Sequence, residues 1–213
     1  MDVAVAGGHG QVGLRLLGLL ADRGDRARGL IRNPDHAADL EAAGAEPVVC
    51  DLEGDDDVAA VIAGADAVVF AAGAGPGSGA ERKRTMDLGG AVKLIEAAKQ
   101  NGISRYVIVS SMGADDPPSG DQVFAVYLQA KAAADQAVRE SGLQFTIVRP
   151  GRLTNDRGTG RIEAAESLGR RGEIPRDDVA ATLVAVLDEP ATVGKTFEIL
   201  GGEEEIAAAL RTL

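Results

Sequence analysis

The sequence is poor in several residue types that often build functional sites: it has one cysteine, two histidines, two tyrosines and no tryptophan in 213 residues. Cys50 alone can form neither an internal disulfide nor a cysteine-based metal cluster. His9 and His36 belong to no ligand cluster at metal-binding spacing, so we predict no metal site. Because aromatic residues make up only 3% of the chain, its core has to be built from Ala, Val, Leu and Ile.

The sequence also lacks long apolar runs and an excess of positive charge. No run approaches the roughly 18 residues that span a membrane, and Met1 is followed by an acid and a short strand-like run rather than by a signal peptide. The formal net charge of −11 disfavours nucleic-acid backbones and anionic membranes. We therefore expect a cytoplasmic monomer or homodimer with no nucleic-acid and no membrane partner. Its expected partner is a small-molecule substrate that the sequence does not identify.

Short apolar segments alternate along the chain with segments of helical periodicity. We predict strands at residues 3–6, 26–31, 47–50, 67–72, 106–110, 145–148 and 196–200. We predict helices at residues 11–23, 37–43, 58–63, 83–100, 122–141, 177–187 and 203–210, and a Gly-rich loop at 74–80. This alternation predicts a Rossmann-type α/β fold, a doubly wound parallel sheet with helices on both faces. The length favours one domain over residues 1–213, with residues 152–175 as a small C-terminal substrate lobe or lid.

A glycine-rich turn, Gly7-Gly8-His9-Gly10-Gln11-Val12-Gly13, lies between the first predicted strand and the first predicted helix. Gly7 would permit a tight turn, Gly10 a close approach of the backbone to a pyrophosphate, and Gly13 close packing of helix on strand. Free N–H groups and the dipole at the helix N-terminus favour phosphate there. We predict a dinucleotide at this turn, bound by Gly7, His9, Gly10, Gln11, Val12 and Gly13. The alternative is a turn that binds no ligand. We expect His9 to face solvent rather than to act in catalysis.

The end of the second predicted strand indicates which dinucleotide binds. Domains that prefer NAD usually place an acid there for the ribose hydroxyls, whereas this strand ends Leu30-Ile31-Arg32-Asn33-Pro34. A guanidinium suits a 2′-phosphate through paired charged hydrogen bonds. We therefore predict NADP(H), with NAD(H) less favoured and Arg32 as the phosphate clamp; the alternative is that Arg32 is a surface charge. Further cofactor-binding residues are expected where strands three and four end: Asp51, Leu52, Ala71, Ala72 and Gly73.

Later segments resemble the atypical NAD(P)-binding branch of the short-chain dehydrogenase/reductase superfamily, which includes NmrA-like and biliverdin/flavin reductase-like proteins. Besides the glycine turn, the resemblance is carried by Val107-Ile108-Val109-Ser110-Ser111, by Tyr127-Leu128-Gln129-Ala130-Lys131, by residues 141–151 and by Asp177-Asp178-Val179-Ala180. It extends from about residue 2 to about residue 202.

The resemblance implies a catalytic set. Tyr127 would be the general acid/base, and Lys131, four residues on and so on the same helical face, would stabilise its phenolate and hold the nicotinamide ribose. Ser111, with Ser110 as the close alternative, would orient the substrate oxygen; Ser110 and Pro150 are also expected beside the cofactor. Asp87 stands where the superfamily's fourth catalytic residue is an asparagine. This departure puts the usual proton relay in doubt.

Three functions are open at this point. The first is an NADP(H)-dependent oxidoreductase or epimerase in which Tyr127 exchanges the proton that accompanies hydride transfer. The second is a non-enzymatic, NADP(H)-sensing regulator of the NmrA type. The third is a flavin or quinone reductase in which the tyrosine is incidental. A basic cluster in the predicted lid could face an anionic ligand, but we favour a surface loop that balances its own acids; its members are Arg152, Arg157, Arg161, Arg170 and Arg171.

Overall fold

The computed structural model describes residues 1–75 and 77–213; Pro76, in the predicted Gly-rich loop, lies outside the described residues. The strands are β1 (Asp2–Ala6), β2 (Arg26–Ile31), β3 (Glu46–Val49), β4 (Ala67–Phe70), β5 (Arg105–Val109), β6 (Gln144–Pro150), β7 (Arg152–Thr154), β8 (Arg161–Ala165), β9 (Glu173–Pro175), β10 (Lys195–Gly201) and β11 (Glu204–Glu205).

The α-helices are α1 (Gln11–Asp22), α2 (Ala37–Ala42), α3 (Val58–Ile62), α4 (Ala80–Arg82), α5 (Ala91–Gln100), α6 (Val123–Glu140), α7 (Arg176–Asp188) and α8 (Ile206–Arg211). A π-helical segment, Lys83–Gly90, connects α4 to α5, and 3₁₀ turns lie at Pro34–His36 and Pro190–Thr192. In the described part of the chain, no helix combines the length and apolarity needed to cross a membrane.

The main sheet has the strand order β11-β8-β10-β6-β5-β4-β1-β2-β3. Neighbouring strands from β3 to β10 are parallel, whereas β8 pairs antiparallel with β10 and β11. The order β3-β2-β1-β4-β5-β6 is that of a doubly wound Rossmann sheet, which reverses its direction of winding between β1 and β4. The predicted fold class is confirmed, and ligands of such sheets bind outside the carboxyl ends of the strands at that reversal.

Apolar side chains cover both faces of the sheet. Alternate residues of β1 point to opposite faces, so Val3 and Val5 pack in the layer that contains α1 and α7, whereas Ala4 and Ala6 pack in the layer of α5 and α6. Burial on both faces explains why the central strands are apolar almost throughout. The two layers fix the carboxyl ends of β1, β4 and β5 next to one another.

Two elements near this edge of the sheet differ from their predicted form, one at its end and one at its beginning. β4 stops at Phe70, two residues before the predicted end at 72, so the chain leaves the strand at the winding reversal. The predicted helix 83–100 begins as the π-helical segment and becomes α-helical only at Ala91. A π turn shifts the direction of the side chains relative to an α-helix and is frequent at functional sites. Here it buries Lys83, Met86 and Asp87.

The predicted lobe at 152–175 is divided between two sheets. β7 and β9 pair with each other in a small parallel sheet, whereas β8 joins the edge of the main sheet against β10. Three arginines of the predicted basic cluster form ion pairs with acids, which favours charge balance over ligand binding. The pairs are Arg152–Glu173, Arg161–Glu205 and Arg170–Glu163.

Candidate functional site

The glycine turn after β1 is packed so closely that side chains are excluded at three positions, Gly7, Gly8 and Gly13. Gly7 has a φ of +84°, in the left-handed region, and a Cβ there would lie 2.7 Å from the Cα of Ala72. A Cβ on Gly13 would lie 2.2 Å from the carbonyl oxygen of Gly7. Gly10, the N-cap of α1, has no side chain to cap the helix. The first N–H groups of α1 are therefore open to an anionic ligand.

Two cavities open at the carboxyl edge of the sheet beside this turn. The first, of about 560 Å³, extends toward Tyr127 and is called the tyrosine cavity below. The second, of about 260 Å³, extends toward Arg32 and is called the arginine cavity. Residues 71–73, which follow β4, line both cavities and form their common wall. The two cavities thus lie side by side at the winding reversal.

The tyrosine cavity brings together the four residues predicted to be catalytic: Ser111, Tyr127, Lys131 and Asp87. The ammonium of Lys131 lies 5.9 Å from the centre of the Tyr127 ring and donates to the carbonyl oxygen of Val109 at 3.0 Å. The other tyrosine, Tyr106, is fully buried in the core, and burial raises the pKa of its phenol. Tyr127 is therefore the tyrosine that a substrate in the cavity would meet.

Asp87 forms a buried ion pair with Lys131. Its Oδ1 lies 3.2 Å from the Lys131 ammonium without the alignment of a hydrogen bond, and its Oδ2 accepts from the backbone N–H of Ala74 at 3.2 Å. An asparagine at this position would be neutral, whereas the carboxylate offsets part of the lysine's charge. The pair holds Lys131 in place at the cost of a weaker positive field at Tyr127.

The two serines after β5 have different environments. The Ser111 hydroxyl donates to the carbonyl oxygen of Met112 at 3.2 Å, at the surface of the cavity. The Ser110 hydroxyl is buried and lies beside the Asp135 carboxyl. Burial raises the pKa of the Asp135 carboxyl, and Ser110 and Arg149 offset only part of that rise. Ser110 is thus backed by a buried Asp135–Arg149 pair, whose shorter contact is 2.9 Å.

In the arginine cavity, two arginines converge on one carboxylate. Arg32 lies 3.4 Å from Oε2 of Glu53, and Nε of Arg82 lies 3.0 Å from the same oxygen. Thr85 donates its hydroxyl to Oε1 of Glu53 at 2.6 Å. Burial raises the pKa of the Glu53 carboxyl, but the hydrogen bonds from Thr85 and Arg82 lower it further, so it lies below its usual value. Glu53 holds both guanidinium groups at the rim of the cavity.

His9 is partly exposed and contacts two neighbouring side chains. Its ring stacks on that of His36 with 3.6 Å between ring centres, and its Nε2 lies 2.8 Å from Oδ2 of Asp39. The His9 side chain is 34% exposed, so its ring faces solvent in part while it contacts His36 and Asp39. Asp51 makes a local turn in which its Oδ1 accepts from the backbone N–H of Glu53 at 2.9 Å.

The predicted cofactor-binding residues divide between the two cavities. The arginine cavity is lined by Gly7, His9, Gly10, Arg32, Asp51, Leu52, Ala71, Ala72 and Gly73. The tyrosine cavity is lined by Val12, Ala71, Ala72, Gly73, Ser110, Lys131 and Pro150. Gln11 and Gly13 line neither cavity: Gln11 begins α1, where its carbonyl accepts from Arg15 at 2.7 Å, and Gly13 packs on the turn.

Sequence reasoning missed several residues at the cavities. Arg82 and His36 line the arginine cavity, and Lys83 and Phe124 line the tyrosine cavity. The adjacent basic residues Arg82 and Lys83 lie two residues after a Gly-rich loop in an acidic protein, which is a detectable signal. The direction of their side chains could not be predicted, because Arg82 ends α4 and Lys83 begins the π-helical segment.

A glycine turn at the winding reversal, flanked by these two cavities, defines a Rossmann-type NAD(P)-binding protein. Residues 7–190 match a family model described as NAD(P)H-binding, and the chain belongs to that family. This membership is consistent with the predicted resemblance to atypical short-chain dehydrogenases/reductases. The family is oxidoreductase- and epimerase-like, and its fold supports a nicotinamide cofactor.

Relatives of known sequence or structure match the whole chain. A Bacillus subtilis protein described as the uncharacterized sugar epimerase YhfK is 43% identical over 215 residues, with both chains covered completely. A solved structure from Bacillus halodurans, provisionally named an NAD-dependent epimerase/dehydratase, is 40% identical with a TM-score of 0.94 and complete coverage of both chains. The oxidoreductase ylbE from Lactococcus lactis is 26% identical with a TM-score of 0.87, covering 100% of this chain and 96% of that chain.

Proposed function

We propose that this protein is an NADP(H)-dependent oxidoreductase or epimerase in which Tyr127 exchanges a proton with the substrate oxygen. The observation that carries the proposal is the position of Tyr127 in the tyrosine cavity, with the Lys131 ammonium 5.9 Å from the centre of its ring and Ser111 lining the same cavity. These residues lie beside the glycine turn, so the reacting groups and the cofactor would meet at one edge of the sheet.

The residues present fit a dinucleotide. The cradle at Gly7 and Gly13 has no room for a Cβ, which suits a backbone that has to approach a pyrophosphate closely. The two cavities that share residues 71–73 suit the two ends of such a molecule. Arg32 and Arg82 supply positive charge in the arginine cavity and support recognition of a 2′-phosphate, hence NADP(H) over NAD(H).

The proton chemistry follows from the side chains of the tyrosine cavity. When bound, a reduced nicotinamide would supply the hydride that reduces a substrate carbonyl. Tyr127 gives its phenolic proton to the carbonyl oxygen, which forms the alcohol, and Lys131 stabilises the phenolate that remains. Solvent returns the proton to Tyr127. Ser111 would orient the substrate oxygen, and the reverse steps oxidise an alcohol; an epimerase would use both directions in turn.

Two measurements test the proposal. NADPH and NADH are titrated separately by nicotinamide fluorescence, which the absence of tryptophan favours; we expect NADPH to bind more tightly. Turnover is then screened with aldehydes, ketones, quinones and flavins. Tyr127→Phe should keep its NADPH affinity and lose kcat by about 100-fold or more. Full turnover in this variant would overturn the role of Tyr127. If the variant reduced flavins but no other compound of the panel, the result would favour the flavin reductase.

The Asp87–Lys131 ion pair supports a second candidate function, a non-enzymatic sensor of NADP(H). A carboxylate that offsets the lysine charge disfavours the phenolate but leaves the glycine turn intact. A sensor would bind NADPH with no turnover on any member of the panel. It would also retain a partner protein in a pull-down with cofactor and release it without cofactor, or the reverse.

A further inference from the structure

A second lysine, Lys83, enters the tyrosine cavity from the π-helical segment. Its side chain is largely buried, with the residue 8% exposed, and its ammonium lies 5.4 Å from the centre of the Tyr127 ring. Lys83 and Lys131 therefore both approach the same ring, one from the π-helical segment and one from α6.

The two ammonium groups differ in how their charge is compensated. Lys131 lies 3.2 Å from a carboxylate oxygen of Asp87. Lys83 donates to the carbonyl oxygen of Gly75 at 2.8 Å, and no carboxylate oxygen in residues 1–75 and 77–213 lies within 4.0 Å of its nitrogen. An ammonium has three donors, and a buried cation without a counter-charge is costly. Lys83 thus presents an uncompensated positive charge to the cavity.

The mouth of the same cavity is apolar. Val123 and Phe124, at the start of α6, are 46% and 59% exposed although both are large hydrophobic residues. Both line the cavity together with Leu153 of β7, and the rings of Phe124 and Tyr127 lie 6.1 Å apart. A ligand that fills this space meets a cation beside Tyr127 and apolar surface farther out.

We propose that Lys83 binds a carboxylate of the substrate, so that the substrates are oxo- or hydroxy-carboxylates with an apolar substituent. A single ammonium matches the charge of one carboxylate, whereas phosphate sites usually gather several donors. The reacting oxygen would lie next to the carboxylate, at Tyr127, and the apolar substituent would pack on Phe124. This inference rests on the proposed function, since it names the substrate class for the same site.

The test compares phenylpyruvate with its uncharged methyl ester, and with phenyl phosphate as a second anion. Binding to the full-length protein is measured by calorimetry, with and without NADP⁺, so the readout does not depend on turnover. We expect wild type to bind phenylpyruvate about tenfold or more tightly than the ester and more tightly than phenyl phosphate. Lys83→Gln should remove the preference for phenylpyruvate over the ester, and Lys83→Arg should keep part of it. The control variant Arg84→Gln removes an exposed neighbouring cation and should leave the preference unchanged.

NADPH affinity, measured on the same variants, separates this inference from the proposed function. We expect Lys83→Gln to change the Kd for NADPH by less than about twofold. A loss of NADPH affinity as large as the loss for phenylpyruvate would assign Lys83 to the cofactor site and overturn the inference. So would equal binding of acid and ester by wild type, a result that needs no variant to fold. Failure of wild type to bind NADPH would instead overturn the proposed function.

Discussion

The ammonium of Lys131 lies 3.2 Å from Oδ1 of Asp87 and 5.9 Å from the centre of the Tyr127 ring, with both charged side chains buried. One cation therefore neutralises a carboxylate and faces a phenol. Since Asp87 also accepts the N–H of Ala74, it fixes the lysine relative to the loop after β4. Asp87 thus both positions Lys131 and offsets its charge, and substitutions at residue 87 can separate these two effects.

Asp87→Asn is expected to raise turnover and lower stability. The amide oxygen can still accept from Ala74, but it no longer offsets the charge of Lys131, so the phenolate of Tyr127 is better stabilised. The buried lysine loses its counter-charge, which should cost about 3 kcal/mol in the free energy of unfolding. Steady-state kinetics and urea unfolding measure the two effects. In Asp87→Ala the N–H of Ala74 also loses its acceptor, so the free energy of unfolding should fall further. Unchanged turnover in Asp87→Asn would show that the charge of Asp87 does not limit catalysis.

Gly13→Ala is expected to abolish NADPH binding. Its Cβ would lie 2.2 Å from the carbonyl oxygen of Gly7, so α1 has to move away from the turn that would hold the pyrophosphate. We expect a loss of about 1–3 kcal/mol in stability as well. Gly18→Ala, in the same helix, is the matched control: the nearest atom to its Cβ is 3.9 Å away, and alanine should stabilise the helix by up to about 1 kcal/mol. Normal NADPH binding by Gly13→Ala would refute the proposed pyrophosphate position.

Arg32→Ala is expected to weaken NADPH binding by roughly tenfold and NADH binding by less than about twofold. The difference arises because only NADPH carries the 2′-phosphate that the guanidinium would bind. Arg82→Ala should have the same selective effect, since Arg82 lines the same cavity. Arg26→Ala, at the opposite end of β2, removes a similarly exposed arginine and should change neither affinity. Equal losses for both dinucleotides would indicate a general charge effect instead of a clamp.

The acid side of the stability profile should depend on Glu53. Its pKa in the folded protein lies below its usual value, so the unfolded chain takes up a proton first as the pH falls. The stability that this carboxylate contributes is complete above about pH 5 and is lost as the pH falls through the lowered pKa. Urea midpoints measured between pH 6 and about pH 3 should therefore fall less in Glu53→Gln than in wild type. Glu41→Gln, on the exposed surface of α2, should follow wild type.

The positions of the glycine turn, of Arg32 and of the Tyr127–Lys131 pair could be predicted from the sequence, because they depend on local patterns. Three-residue glycine spacing between a strand and a helix, and four-residue spacing on one helix, translate directly into geometry. The doubly wound parallel sheet followed from the alternation of strands and helices. Each of these features needs no knowledge of contacts between distant segments.

The remaining features depend on such contacts. The pairing of β8 with β10 joins part of the predicted lobe to the main sheet, and no periodicity in residues 161–165 indicates it. The stack of His9 on His36 is set by the fold rather than by their 27-residue separation. Asp135 and Arg149 form an ion pair in the interior, although the local sequence around each predicts a charged residue on the surface of a helix or strand. Tertiary packing decides all three.

Because of the π-helical segment, the side chains that line the tyrosine cavity depend on the number of residues in that segment as well as on their identity. Each step along an α-helix turns the side chain by about 100°. Removing one residue from Lys83–Gly90 would restore regular winding and turn the residues before the deletion, Lys83 among them, away from their present directions relative to α5. A homologue with every side chain conserved but one residue fewer in this stretch would have a different cavity. Gap positions in this segment are therefore as informative about specificity as substitutions.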